Sequence, residues 1–306
     1  MILVAGASGF VGRALVASLN EAPPAPLRAF VRTELDAVRL RDRGVEAAVG
    51  DLVAGRGLDA AMRGVHTLVY LVHALEGAGD LVASDLAAAR NATLAARAAG
   101  VERIVFLGHV AAAPEARARY LVARWAVERT MEQSGVTCTV LRAPLIVGAG
   151  AEPFSLACWP GSRSPIVPLF SWRRTLLEPV ALTDVVEGLS MAIADRDLDG
   201  RSFDLCGADR ITAGDMVRSA MRAIGRRAIP IPVPLRGIEG VAWAHWAAHR
   251  GSPRRARALL ETLFERQLCT DPSRRFPLPH RPLPFRSALA SMLDGSSAER
   301  RLRSDI

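Results

Sequence analysis

Gly6, Gly9 and Gly12 recur at every third position directly after the apolar run Ile2-Leu-Val-Ala5, a pattern suited to holding a pyrophosphate. Backbone N–H groups and a helix N-terminus bind such phosphates, and side chains at the turn would hold them away. Gly6 lets a strand turn sharply, Gly9 lets the backbone approach the phosphates, and Gly12 lets the next helix pack close to the strand. The spacing is G-x-x-G-x-x-G rather than G-x-G-x-x-G, so the reading rests on context. A buried parallel strand is expected before the turn, and Phe10, Val11, Ala14, Leu15 and Leu19 fall at helical spacing behind it.

Arg32 lies 20 residues after Gly12, at the end of the expected strand Leu27–Arg32. Proteins that take NAD usually place an acid there, which bonds a free ribose 2′-OH and repels a 2′-phosphate. A guanidinium does the reverse, with bidentate geometry for the phosphate. NADP(H) is therefore the expected cofactor and NAD(H) the second choice, although Glu34 and Asp36 stand nearby. Asp51, after the third expected strand, can accept a hydrogen bond from the adenine amino group or serve as a turn residue.

The elements that position these residues alternate. Strands are expected at 45–49, 66–72, 103–107 and 136–141, and helices at 33–43, 58–62 and 80–99, the last ending at Gly100. Alternation of this kind builds a doubly wound parallel sheet, so residues 1–150 are expected to form a Rossmann domain. Residues 151–306 are expected to form a smaller, mostly helical substrate lobe, with segments around 176–207 returning to the first domain. In such sheets the ligand sits outside the strand carboxyl ends, which places His73 and His109 at the crevice as possible proton donors. Phe154, Trp159, Phe170 and Trp172 are expected near the reacting end of the cofactor. Trp243 and Trp246, on an expected helix 235–248, suit a pocket lining or the packing of the lobe.

All 39 basic residues are arginine, so chemistry that needs a lysine ammonium is excluded. The net charge of +8 is spread without interleaved aromatics, which argues against nucleic acid as partner. Cys138, Cys158, Cys206 and Cys269 are scattered, so no metal site is expected, and the thiols are expected to be reduced in a cytoplasmic protein. No apolar run approaches the ~20 residues of a membrane span, so stable membrane insertion is not expected. A small molecule is the expected partner, with the chain a monomer or homodimer.

Taken together, Gly6-Ala-Ser-Gly-Phe-Val-Gly12, Arg32, Asp51, Val69-Tyr-Leu-Val-His73, Ala89-Arg-Asn91, Arg103-Ile-Val-Phe-Leu-Gly108, Val140-Leu-Arg142 and Ala181-Leu-Thr-Asp184 resemble the short-chain dehydrogenase/reductase superfamily, in its atypical, NmrA-like branch. The resemblance implies a seven-stranded Rossmann core that binds NADP(H). Its cofactor contacts would come from Gly6, Ser8, Gly9, Phe10, Val11 and Gly12 on the turn, and from Arg32, Asp51, Leu52, Leu71, Val72 and Leu107 at the strand ends. Catalytic relatives carry a Ser or Thr after the fifth strand and a Tyr-x-x-x-Lys on the next helix. Here those places read Gly108-His109 and Tyr120-Leu-Val-Ala-Arg124. Tyr120 and Arg124 share a helix face one turn apart, and an arginine can lower a phenol's pKa, although its planar fork differs from an ammonium. The alternatives are a core-facing Tyr120 and an Arg124 paired with Glu128. Two functions follow: an NADP(H)-dependent reductase of a small hydrophobic carbonyl or enone compound, or a non-catalytic NAD(P)-binding redox sensor, regulator or assembly factor.

Overall fold

A computed structural model of the chain describes residues 1–73, 80–151, 154–158, 166–169, 171–226, 229–232 and 252–294. Strands β1 (Ile2–Ala5), β2 (Leu27–Val31), β3 (Glu46–Val49), β4 (Thr67–Tyr70), β5 (Arg103–His109) and β6 (Thr137–Ala143) lie in one sheet. Four short strands follow outside it: β7 (Ile146–Val147), β8 (Ile166–Leu169), β9 (Leu176–Leu177) and β10 (Val180–Ala181). The chain then returns as β11 (Ser202–Asp204), giving a seven-stranded parallel sheet in the order β11-β6-β5-β4-β1-β2-β3. The order reverses between β1 and β4, and that switch point opens the crevice above their carboxyl ends.

Both sheet faces are covered, so the strands are nearly continuously apolar and their side chains alternate between two cores. Ile2, Val4, Ala29 and Val105 pack against α1 (Phe10–Glu21) on one face. Leu3, Phe30, Tyr70 and Phe106 occupy the other, with α3 (Leu58–Ala61), α4 (Leu81–Ala98) and α5 (Arg119–Glu132). Helix α2 (Glu34–Arg41) starts at Thr33, whose hydroxyl accepts from the Asp36 N–H; α4 starts at Asp80, whose carboxylate accepts from Val82 and Ala83. After β10, α6 (Leu182–Ala194) lies beside α1, and its Val185, Leu189 and Ala192 join the first core.

A third core holds β12 (Ile211–Thr212), α7 (Ala213–Ala223), α8 (Pro253–Glu261) and α9 (Phe285–Asp294), while β13 (Ile229–Pro232) pairs with β8 and leaves Ile229 and Ile231 exposed. Phe154 and Trp172 are buried in this core and do not line the crevice, which corrects the expectation for them. Large apolar side chains must be buried somewhere, and the lobe's own interior takes these two. Trp159, Phe170, Trp243 and Trp246 lie outside the described residues.

Residues 262–276 run back from the lobe to the sheet and are fastened at several points. Gln267 bridges to Leu177, and Arg275 to Asp204. The buried Glu178 carboxylate accepts from Arg210 at 2.7 Å, from the Cys269 N–H at 3.0 Å and from Arg275 at 3.3 Å. Cys206 and Cys269 form a disulfide beside it, contrary to the expectation of reduced thiols throughout; Cys138 and Cys158 are free and buried. A sequence separation of 63 hides the proximity of the bonded pair from a sequence reading. Among the described residues no helix is long and apolar enough to cross a membrane.

Candidate active site

The β1–α1 turn has the close geometry that its glycines allow. Gly6 has φ +90°, where an L side chain is strained, and the Gly9 N–H donates to the Gly6 carbonyl at 3.0 Å. A Cβ on Gly12 would lie 2.0 Å from the Gly6 oxygen, so α1 approaches the turn to backbone contact. No side chain caps α1 at Gly9, which leaves its first-turn N–H groups for an anionic ligand. Arg13 donates to the Ser8 carbonyl at 2.6 Å and braces the turn from outside.

Above this turn lies a cavity of about 510 Å³. All sixteen site residues singled out from the sequence line it: the glycine-turn set from Gly6 to Gly12, the strand-end residues from Arg32 to Leu107, and His73, His109, Tyr120 and Arg124. At the β2–β3 end the local acids are already engaged. Asp36 accepts from the Thr33 hydroxyl at 2.8 Å, and Asp51 accepts from the Val53 and Ala54 N–H groups at 2.8 and 3.1 Å. Of the two roles open for Asp51, its geometry displays the turn role. Asn91 clamps the same turn by donating to the carbonyls of Leu52 and Val53 at 2.8 and 3.1 Å.

At the other end three rings converge. Tyr120 meets His73 and His109 edge-on, with ring centroids 6.1 and 6.3 Å apart. Burial raises the Tyr120 phenol above its ordinary pKa of 10.0, and the nearby Arg124 charge opposes that rise. For His109, burial first, then the Arg124 charge, lowers the pKa to about 3. The Ala111 N–H donates to its Nδ1 at 3.1 Å, so the neutral ring carries its proton on Nε2. This corrects the expectation of a near-neutral histidine: His109 offers a hydrogen bond, not an imidazolium proton. His66 is bonded to Thr67, and His280 sits on Glu187 at 2.7 Å, both away from this cavity.

Arg124 departs from one of its two sequence readings. It does not pair with Glu128, which accepts instead from Arg142 at 2.8 Å and Arg129 at 2.9 Å. Its guanidinium lies over the Phe106 ring at 4.8 Å and donates to the carbonyls of Val72 at 2.8 Å and Leu107 at 2.6 Å. The guanidinium thus ties together the carboxyl ends of β4 and β5 while its charge opposes the rise in the Tyr120 pKa. Sequence reasoning also missed Arg13, the wall Pro144-Leu-Ile146, and Arg255, Leu259 and Thr262 from the lobe. The spacing 255, 259, 262 marks a helix stripe, but nothing local tells what that stripe faces. Gln267, fully buried, joins the two walls: it accepts from the Leu145 N–H at 2.8 Å and donates to the Thr262 carbonyl at 3.1 Å.

Residues 6–152 match the NAD(P)H-binding family. Over 278 residues the chain is 28% identical to a ceramide reductase of Caulobacter vibrioides, covering 86% of this chain and 84% of that one. Over 144 residues it is 35% identical to an NAD(P)H azoreductase of Xenophilus azovorans, covering 46% and 47%. The structure of the Citrobacter sp. triphenylmethane reductase complexed with NADP(H) superposes with a TM-score of 0.76 at 18% identity, over 95% of this chain and 99% of that one, a likeness of fold. The glycine turn and the parallel sheet order agree with that match: residues 6–152 are similar in sequence to NAD(P)H-binding domains and carry the Rossmann-type fold of the reductase structure.

Proposed function

We propose that this chain is an NADPH-dependent reductase of a small, hydrophobic carbonyl, enone or quinone compound. The observation that carries the reading is that one cavity holds both the glycine turn and a half-buried pair of O–H and N–H donors, Tyr120 and His109. The named relatives are reductases, which supports the same class. The cofactor fits the residues present, because the turn leaves no Cβ between backbone and phosphate, and Arg13 and Arg32 line the same region. When bound, the dihydronicotinamide supplies the hydride.

The chain's residues supply the rest. The uncapped first turn of α1 would hold the pyrophosphate, and Arg32 would receive the 2′-phosphate in place of the acid that NAD would call for. Tyr120, held protonated by burial, gives its Oη proton to the alkoxide that develops on the substrate, while the His109 Nε2–H steadies that oxygen. A phenol with a raised pKa stays protonated near neutral pH and so holds the proton that the reduction needs. The aliphatic wall Leu145 and Ile146 keeps water from the reacting carbon.

The competing reading, a non-catalytic dinucleotide sensor, draws on Arg124 being turned to two backbone carbonyls rather than to a ribose. Oxidation of NADPH at 340 nm across a panel of quinones, enones and aldehydes separates the two. Tyr120→Phe is expected to lower turnover by ~10²–10⁴ with NADPH affinity unchanged. Binding of NADPH with no turnover of any panel member would overturn the reductase reading and favour the sensor.

A further inference from the structure

The cavity has an end that the dinucleotide-binding residues do not line. Arg255, Leu259 and Thr262 form that wall at i, i+4 and i+7, one stripe of α8 and the turn after it. The Thr262 hydroxyl is turned inward to the Leu259 carbonyl at 2.7 Å, and Leu259 is apolar. The one charged group on the stripe is therefore the Arg255 guanidinium. Helix α8 packs on α5, whose first turn carries Tyr120, and Arg255 is among the charges that act on the Tyr120 phenol.

The other cations that line the cavity are placed elsewhere. Arg13 and Arg32 stand by the glycine turn and the end of β2, and Arg124 is held by the Val72 and Leu107 carbonyls. The acids among the described lining residues, Asp36 and Asp51, both lie at the β2–β3 end. The cavity wall at the substrate end thus presents the Arg255 guanidinium and the apolar surface of Pro144, Leu145, Ile146 and Leu259, while the Asp85 carboxylate, which also acts on the Tyr120 phenol, is buried behind the lining.

We propose that Arg255 is a specificity-determining residue: it receives an oxyanion group of the substrate, a carboxylate, sulfonate or phosphate, while an apolar body lies along Leu145, Ile146 and Leu259. This rests on the reductase reading for its kinetic consequence but not for its binding consequence. A planar fork suits oxyanions through two parallel N–H bonds, which a hydrophobic wall alone would not provide.

Binding is measured first, without turnover, on the NADPH complex with naphthalene-2-sulfonate and its neutral isostere naphthalene-2-sulfonamide. The sulfonate is expected to bind about tenfold or more tightly than the sulfonamide. Arg255→Met should abolish that preference, Arg255→Lys should retain part of it, and Arg257→Met, on the exposed side where Arg257 pairs with Glu261 at 2.8 Å, should leave it intact. In turnover, Arg255→Met should raise KM for 1,2-naphthoquinone-4-sulfonate and spare 1,2-naphthoquinone. Equal binding of the two naphthalenes by the parent, or a preference that survives Arg255→Met, overturns the proposal. So does a comparable fall in NADPH affinity in Arg255→Met, which would assign the guanidinium to the cofactor. If the sulfonate preference is present but neither quinone is reduced, the reductase reading falls and the anion site stands.

Discussion

Replacing Arg124 tests whether its guanidinium holds the sheet or the reactants. The side chain is 3% exposed and donates to two carbonyls, those of Val72 and Leu107. Arg124→Met keeps the aliphatic contact with Phe106 and leaves both carbonyls without their donor. Each buried carbonyl so orphaned costs about 1–3 kcal/mol, and because both residues line the cavity, water can recover part of it. A combined loss of roughly 2–4 kcal/mol is expected, which at about 2–3 °C per kcal/mol for a chain this long lowers Tm by ~4–12 °C. Arg124→Lys keeps a point donor that can serve one carbonyl, and should lose about half as much. Thermal unfolding with and without NADPH reads the effect, alongside NADPH affinity and turnover in the same preparations. An Arg124→Lys protein that melts at the parental temperature yet loses turnover would refute the reasoning, because the guanidinium would then act on the reactants.

Three further outcomes are expected. Gly12→Ala forces a Cβ to within 2.0 Å of the Gly6 oxygen, so it should destabilise the chain by about 1–3 kcal/mol and weaken NADPH binding; an unchanged melt and titration would discard the close approach. His109 has its pKa lowered from 6.5 to about 3, so between those values the unfolded chain takes up a proton that the native chain refuses. Stability should therefore fall as pH drops below about 6.5 by at most about 1.4 kcal/mol per pH unit, and urea unfolding of His109→Gln should show a shallower pH dependence than the parent. Arg32→Asp should weaken NADPH by roughly 2–4 kcal/mol and NADH far less, as fluorescence titration with each would report.

The sequence was most informative where the cause of structure is local. A strand, three spaced glycines and an amphipathic helix constrain one another within twenty residues, and Gly6, Gly9 and Gly12 take the roles their spacing demands. Thr33 and Asp80 cap their helices by the same short-range logic. What escaped was long-range. Arg124 finds acceptors 52 and 17 residues away, and a pair of charges one turn apart gives no hint that Glu128 is already taken by Arg142. Phe154 and Trp172 show the same limit, since size and apolarity demand burial without saying in which of two apolar places. His109 was located by its strand end, but its protonation state depends on the Ala111 N–H and on enclosure that only the fold creates.

The return of β11 to the sheet has a consequence for recombining this chain with its relatives. β11 aligns Phe203 with Leu141 and Asp204 with Arg142, yet it is reached only after the chain has laid down β7 to β10 and α6 outside that edge. A single crossover near residue 150 would therefore give a chimaera whose last sheet strand comes from one parent and whose neighbouring strand comes from the other. The Arg142–Asp204 ion pair at 3.5 Å and the packing of Phe203 would have to match across that seam. Grafting a foreign binding lobe would instead need to preserve residues 180–205 as part of the recipient, leaving the exchange to the stretches before and after them.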